Sequence, residues 1–338
     1  QALIFMITNS GAGKQSYCYE RHDQAIKVAA GQIQDDALFA YVCGLDEGDD
    51  PMKDEKCWDK ANPSLRYGLP GIKYLREQVT EARGMPAKES IVRRLNFCQW
   101  VEAESPWIGP DVWFDGEDKD FDDAMLIGRR CWGGLDLSST QDLTALALLF
   151  EPDDADPHWR LRTWFWLPND GLYEKADKDR VPYIAWREAG YLETTSGRAI
   201  NKLSVIKRFA EISSMYDLQE VGFDRWRIED FKMLMEQEGI SLPLAPFGQG
   251  FKDMAPAVDE FERLLLSRTI KHNGNPVMTW CAANAVIVSD PAGNRKVAKE
   301  KANGRVDGVV AAIMAAGRAM AKQENEASIY NERGIILV

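Results

Sequence analysis

The chain has 338 residues, of which 45% are hydrophobic and 10% aromatic. This length suits two domains, and the composition is that of a folded globular protein rather than a disordered one. The formal net charge of −12 argues against a passive DNA coat, which needs a strongly positive surface. It leaves metal-dependent enzymes open, because bound divalent cations reverse the sign of an acidic site.

The six cysteines are scattered and include no Cys-x-x-Cys pair, so neither a zinc site nor a disulfide framework is indicated. We expect reduced thiols in a reducing compartment. The sequence has no apolar run long enough to cross a bilayer and no signal peptide. These features predict a cytosolic protein that is not secreted. The first residue is Gln1 rather than Met, so we expect the natural N-terminus to lie upstream.

The first hundred residues predict a few strands and helices in alternation. Apolar runs are typical of buried strands, 3.6-residue periodicity of helices, and acidic Pro-containing stretches of solvated loops. The sequence predicts strands at 2–8 and 37–44, helices at 15–31, 70–83 and 86–96, and a loop at 46–60. These strands are too few to close a sheet, so we expect this segment to be the end of a domain that begins upstream.

A glycine-rich run around Gly13 and Lys14 is similar to part of a phosphate-binding loop. That loop needs a glycine, four residues, and then Gly-Lys-Ser/Thr. Here Thr8 stands in the position of the first glycine, and Gln15 stands in the position of the metal-binding hydroxyl. Because both positions have mechanical roles, we expect no ATP-binding site and no ATP hydrolysis by this chain.

The second part of the chain predicts an α/β domain. Residues 101–128 have mixed charge with Pro and Asp, and are typical of a linker. Two apolar runs joined by a short polar turn then predict a hairpin, followed by alternating strands and helices around a mixed sheet. The predicted strands are 131–138, 143–150, 159–167, 219–224 and 242–246, and the predicted helices are 201–216, 227–239, 255–268 and 307–321, with 276–290 left open between helix and strand.

Three aspartates in this domain are candidate metal ligands. Asp136 interrupts an apolar strand, Asp224 ends the strand QEVGFD, and Asp307 opens the helix DGVVAAIMAAGRAM. Taken singly, Asp136 could begin a turn, and the other two could be ordinary helix caps. Together, their positions mid-strand, at a strand end and at a helix start suit a site in which carboxylates hold two divalent ions for phosphodiester chemistry. Asp142, at the start of the second hairpin strand, is a candidate fourth ligand.

Basic residues gather just before Asp307 in a loop or hairpin that also contains Gly293. Such a group is often only a solvated charged face. Its place near the acids also suits sequence-neutral contacts with a nucleic-acid backbone. The candidate DNA-binding residues are Arg295, Lys296, Lys299 and Arg305.

In this order, the motifs GLDLSSTQDLTALALLF, VGFDRW and NGRVDGVVAAIMA resemble the nuclease domain of HK97-like phage terminase large subunits. The segments ITNSG, SYCYE, CWDKANPSL and RRLNFCQWV are similar to the region between the ATPase core and the nuclease of that family. The resemblance covers most of residues 3–320. The motifs are fairly specific to this family because several of them occur together and in the family's order.

The resemblance implies a ribonuclease H-like nuclease domain at 129–322, with a mixed central sheet flanked by helices. A truncated P-loop ATPase remnant at 1–100, a linker at 101–128 and a C-terminal tail at 323–338 complete the expected organisation. The family's metal-binding acids fall on Asp136, Asp224 and Asp307, which implies two Mg²⁺ or Mn²⁺ ions. Its ATP-binding loop lies further upstream.

The same resemblance implies an endonuclease that cuts concatemeric double-stranded viral DNA during packaging. Expected partners are the portal protein and a small terminase subunit, with a homo-oligomeric ring in the host cytoplasm and no membrane. Two alternatives stay open: another ribonuclease H-like nuclease, of the resolvase or integrase type, and a non-catalytic module that grips DNA or docks on the portal. In each case an acidic chain predicts weak, salt-sensitive DNA binding in the absence of metal.

Overall fold

The computed structural model describes residues 3–14, 16–83, 86–101, 106–138, 140–224, 228–302 and 304–332. Gln15, part of the rejected phosphate-loop motif, therefore lies outside the described residues. Within them, no helix is long and apolar enough to cross a membrane.

A mixed sheet of seven strands organises the described part of the second half of the chain. The predicted hairpin forms, with β1 and β2 antiparallel, and β3 continues the antiparallel arrangement. On the other side of β1, β5 and then β6 run parallel to it, giving the order β4-β3-β2-β1-β5-β6 with β7 also paired to β3. The strands are β1 (Arg130–Asp136), β2 (Thr144–Phe150), β3 (Trp159–Pro168), β4 (Glu193–Thr195), β5 (Asp217–Asp224), β6 (Leu244–Phe247), β7 (Ile270–His272), and a separate hairpin of β8 (Ile287–Ser289) and β9 (Arg295–Val297).

Helices cover both faces of this sheet, which explains why β1, β2 and β3 are almost wholly buried. One buried cluster joins the sheet to α10, α11 and α12, and another joins its opposite face to α8 and α9. The helices are α1 (Tyr17–Ala29), α2 (Trp58–Ala61), α3 (Ile72–Ala82), α4 (Pro86–Phe97), α5 (Pro110–Asp115), α6 (Leu172–Asp179), α7 (Tyr183–Glu188), α8 (Lys202–Ser213), α9 (Glu229–Glu238), α10 (Phe251–Leu266), α11 (Pro276–Asn284) and α12 (Asp307–Glu332).

The two strands predicted in the first hundred residues are wrong. Residues 3–8 and 37–44 have no strand structure, and the side chains of Leu3 and Phe39 are 90% and 88% exposed. A strand needs a partner for its backbone hydrogen bonds. Among the described residues, the backbone pairing recorded in this region is a single bridge between Ala12 and Val101. Apolar sequence alone is therefore not enough to make either segment a strand.

Other parts of this region correct or confirm the prediction locally. The expected loop at 46–60 instead includes α2, whose Trp58 is 1% exposed and belongs to a small apolar core with Phe97. The expected linker at 101–128 includes α5, whose Trp113 is buried. The predicted helices near 15–31, 70–83 and 86–96 are confirmed as α1, α3 and α4.

The ambiguous segment 276–290 divides into a helix and a strand, α11 and β8. The last helix continues past its predicted end, so the expected tail at 323–338 begins inside α12. Residues 333–338 lie outside the described residues.

Candidate metal centre

The topology brings Asp136 and Asp224 to one edge of the sheet. Each is the last residue of its strand, β1 and β5, and those two strands are parallel neighbours. The carboxyl ends of parallel strands are the usual ligand-binding edge of an α/β sheet. Asp224 is separate from the cap of the next helix, since the residue preceding α9 is Ile228. Its place at the end of β5 therefore reflects the sheet edge rather than helix capping.

Asp307 reaches the same edge from a helix. It is the first residue of α12, which packs across β1, β2 and β5. This packing is very close at Gly134, where a side chain would overlap the backbone of Ala311 one turn into the helix. The glycine therefore fixes the height of α12 over β1, and with it the position of Asp307 relative to Asp136.

All three carboxylates line one cavity of about 430 Å³, which we call the acid cavity. Asp136 is 5% exposed, and the side chain of Asp307 is 14% exposed. The lining also includes Asp142, Gln249, Lys299 and Arg305.

Electrostatics in the acid cavity are dominated by burial and like charge. Burial raises the pKa of Asp136 to about 7, the negative charges of Asp307 and Asp224 act in the same direction, and Lys299 opposes them. For Lys299, burial acts to lower the pKa, but the carboxylates of Asp136 and Asp307 outweigh it and hold that pKa above its usual value. The cavity therefore attracts cations strongly.

The ammonium group of Lys299 lies between two of the acids. It donates to Asp136 Oδ2 at 2.5 Å and to Asp307 Oδ1 at 3.2 Å. Within the described part of the chain, no three His, Cys, Asp or Glu side chains are grouped closely enough to hold a metal ion. The donor set nevertheless has the chemistry that Mg²⁺ and Mn²⁺ prefer, because it consists of hard carboxylate oxygens facing one cavity.

Asp142 and Arg305 form an ion pair at the rim of the acid cavity. Arg305 Nη1 lies 2.9 Å from Asp142 Oδ1, and its other terminal nitrogen lies 4.0 Å from Asp179 Oδ2. The side chain of Asp142 is 55% exposed, whereas that of Asp136 is 7% exposed. In this arrangement Asp142 orients a guanidinium group toward the cavity.

The other candidate DNA-binding residues lie on β9. Arg295 contacts Asp259 Oδ1 at 2.5 Å and Glu262 Oε2 at 2.7 Å, so its charge is largely used within the protein. The ammonium of Lys296 stands 4.9 Å from the ring centre of Phe251. Of the four candidates, the structure thus brings Lys299 and Arg305 to the acid cavity and leaves the other two on the neighbouring hairpin.

Gln249 is a lining residue that the sequence analysis missed. Its amide nitrogen is buried and has no hydrogen-bond partner among the described residues. It follows β6, which ends at Phe247 beside Asp224. The signal was available in principle, because a loop that follows a strand parallel to β5 must begin at the same edge of the sheet.

Comparisons with known proteins agree with this architecture. The family model described as terminase large subunit, endonuclease domain, matches residues 32–323. The terminase large subunit of Enterobacteria phage HK97 is 40% identical over 320 residues, covering 94% of this chain and 60% of that protein. The chain thus spans about three fifths of the length of this relative. Protein YmfN of Escherichia coli K12 is 27% identical, with 96% of this chain and 72% of that protein covered.

The crystal structure of the HK97 large terminase matches with a TM-score of 0.58 and 38% identity, covering 91% of this chain and 61% of that chain. A crystal structure of the large terminase nuclease from thermophilic phage G20c with bound magnesium covers 57% of this chain and 85% of that chain, at 12% identity and a TM-score of 0.37.

Proposed function

Because this chain belongs to the family of terminase large-subunit endonuclease domains, we propose that it cuts double-stranded DNA by metal-dependent phosphodiester hydrolysis. Asp136, Asp224 and Asp307 hold the divalent ions. The observation that carries the proposal is the lining of one cavity by three carboxylates from three separate elements, β1, β5 and α12. Divalent ions held by these carboxylates would act as Lewis acids and would neutralise charge on the phosphate.

The chain's own residues bind and orient the DNA strand. The unpartnered amide nitrogen of Gln249 is a hydrogen-bond donor for a phosphate oxygen. Arg305 presents a guanidinium that Asp142 holds at the rim, and guanidinium groups match phosphate geometry. Lys296, on the neighbouring hairpin, adds a sequence-neutral contact with the backbone.

The proposal extends to the role of the complete protein. Membership of the terminase large-subunit family supports the expectation that the full-length protein cuts concatemeric viral DNA during genome packaging in the host cytoplasm. It would act with a portal protein and a small terminase subunit, as a ring of identical subunits. On this view residues 1–100 end an ATPase domain, residues 101–128 link it to the nuclease domain at 129–322, and residues 323–338 form a tail.

One alternative has an observation in its favour. Lys299 occupies the space between Asp136 and Asp307, as it would in a module that grips DNA but has lost its metal ions. The resolvase or integrase alternative has no such support, because the family match covers residues 32–323 as a terminase domain.

A plasmid-cleavage assay separates the enzyme from the non-catalytic module. The parent protein is incubated with supercoiled plasmid in Mg²⁺, in Mn²⁺ and with chelator, beside the variant Asp136→Asn. Asn is nearly isosteric but is a poor ligand for a hard cation. Losing a metal ligand removes stabilisation of the transition state, and a loss of about 3–5 kcal/mol there slows cleavage by roughly 10²- to 10⁴-fold.

The matched control is Asp217→Asn, which makes the same change at the exposed opposite end of β5. It should cut at the parent rate. Thermal unfolding must show that both variants are folded. Metal-independent cutting, or an intact Asp136→Asn protein that cuts like the parent, contradicts the proposal. A folded parent that binds DNA without cutting it in either metal supports the non-catalytic alternative.

A further inference from the structure

Lys299 bridges two of the three acids. It belongs to a short 3-10 helix, Lys299–Lys301, that lies between β9 and α12. From there its ammonium group joins Asp136 on β1 to Asp307 on α12. The contact therefore ties together the two elements whose separation defines the acid cavity.

The oxygens that Lys299 engages are those that a divalent ion would need. A buried carboxylate that stays charged needs a cation beside it, and here the cation for Asp136 Oδ2 and Asp307 Oδ1 is an amine of the protein itself. An ammonium at 2.5 Å and a metal ion cannot both occupy the space between these two oxygens. The two cations therefore compete.

The surroundings of Lys299 allow it to leave. Its side chain is 41% exposed, whereas the side chains of Asp136 and Asp307 are 7% and 14% exposed. A lysine side chain is a point charge on a flexible four-carbon stem, so the ammonium can swing out while the carboxylates stay fixed.

We propose that Lys299 is a resident counter-ion of the acid cavity, which divalent metal displaces and which then binds the DNA backbone. This inference rests on the proposed function. Metal binding and DNA binding are then thermodynamically coupled: metal releases an ammonium for the phosphates, and DNA draws that ammonium away from the metal site. Such coupling is reciprocal, and it commonly changes affinities by roughly 5- to 150-fold.

The first test measures Mn²⁺ binding to the DNA-free protein by isothermal titration calorimetry. Lys299→Met removes the competing cation and keeps the length of the side chain. We expect its dissociation constant for Mn²⁺ to fall by about tenfold or more. Lys301→Met removes an equal charge from an exposed position on the same 3-10 helix and should stay within about twofold of the parent.

The second test measures DNA binding by fluorescence anisotropy with a labelled duplex, in Ca²⁺ and in chelator. Calcium should tighten binding by the parent and by Lys301→Met more than by Lys299→Met. If Lys299→Met does not fold, Lys299→Gln provides a second variant, because its neutral amide can still donate a hydrogen bond to one carboxylate. It should also bind Mn²⁺ more tightly than the parent does.

The outcomes distinguish this inference from the proposed function. Parent protein that binds Mn²⁺, with folded Lys299→Met and Lys299→Gln that bind it no more tightly, overturns the counter-ion role and leaves the nuclease proposal standing. An equal gain in affinity in Lys301→Met also overturns it, because general electrostatics would then be the cause. If the parent protein binds no Mn²⁺, and so behaves as the Asp136→Asn variant is expected to, both the counter-ion role and the nuclease proposal are overturned.

Discussion

Replacing Gly134 with alanine should move the helix that carries Asp307 and so damage the site without touching any of its acids. Gly134 lies on β1, two residues before Asp136 and directly beneath α12. A Cβ built there would overlap the carbonyl oxygen of Ala311 and stand 2.9 Å from both Ala311 C and Ala315 N. All of these atoms are backbone, so no side chain can turn aside to make room.

The size of the effect follows from this contact. Restoring ordinary van der Waals separation requires α12 to retreat by about 1 Å. Overpacking of this kind costs roughly 1–3 kcal/mol, which lowers Tm by about 2–10 °C for a domain of this size. Because Asp307 lies one turn before Ala311, it moves away from Asp136, and a misplacement of about 1 Å can slow a reaction by roughly 10²-fold.

The neighbouring glycine provides a matched control. Gly222 on β5 pairs with Gly134 in the parallel ladder and also lies under α12. There an added Cβ would meet side-chain atoms of Met314, Arg318 and Phe247 at 3.4 Å. Gly222→Ala should therefore unfold within a few degrees of the parent and cut plasmid at a similar rate.

The assay combines thermal unfolding with plasmid cleavage in Mn²⁺ at a temperature well below either transition. Gly134→Ala should be less stable and, while still folded, slower to cut. If it matches Gly222→Ala in both measurements, the close packing of α12 on β1 does not set the geometry of the site. If it loses stability but cuts at the parent rate, the acids are positioned by something other than this contact.

Two further predictions concern acid stability and ATP. His272 is 2% exposed and stacks on Trp113 at 4.1 Å, and burial lowers its pKa to about 4. Between pH 6.5 and 4 the unfolded chain binds a proton that the folded chain excludes, so the free energy of unfolding should fall by about 3 kcal/mol over that range. In urea unfolding at several pH values, the free energy of unfolding of His272→Gln should depend less on pH than that of the parent. The same pH dependence in both proteins would show that His272 is not the cause. The purified chain should also show no ATP turnover above background; turnover that disappears in Lys14→Ala would contradict that expectation.

The sequence could predict the central sheet because its signals are local. The apolar runs at 131–138 and 143–150, with a short polar turn between them, specify a hairpin whatever surrounds it. The same apolar signal was misleading at 3–8 and 37–44, because a strand also needs a neighbour and that requirement is not written in the strand itself. Trp58 was missed for a related reason: its acidic surroundings indicate a loop, while its burial depends on α4, some thirty residues further along.

The candidate acids could be identified from the sequence. The directions in which the neighbouring basic side chains point could not. Asp136 stands out because it interrupts an apolar run, and Asp224 because it ends the strand QEVGFD. In the structure Asp136 is instead the last residue of β1, and parallel pairing brings both residues to one edge of the sheet. Lys299 and Lys296 look alike in sequence, as basic residues of one polar segment. In the structure one faces the acids and the other covers Phe251, because side-chain direction is set by the turn from β9 into the 3-10 helix.

Because Lys299 points toward the acids, its position affects how an acidic chain can bind DNA, which is itself a polyanion. Four aspartates line the acid cavity, but the cations recorded in its lining are Lys299 and Arg305. Arg305 is held by Asp142 at the rim and Lys299 by Asp136 and Asp307 inside, so without metal neither charge is fully available to DNA. Divalent ions in the cavity would reverse its sign and release Lys299 in the same step. On the proposed function, the net charge of −12 would make DNA binding conditional on metal rather than prevent it, because the attraction would reside in the loaded site and not in the surface as a whole.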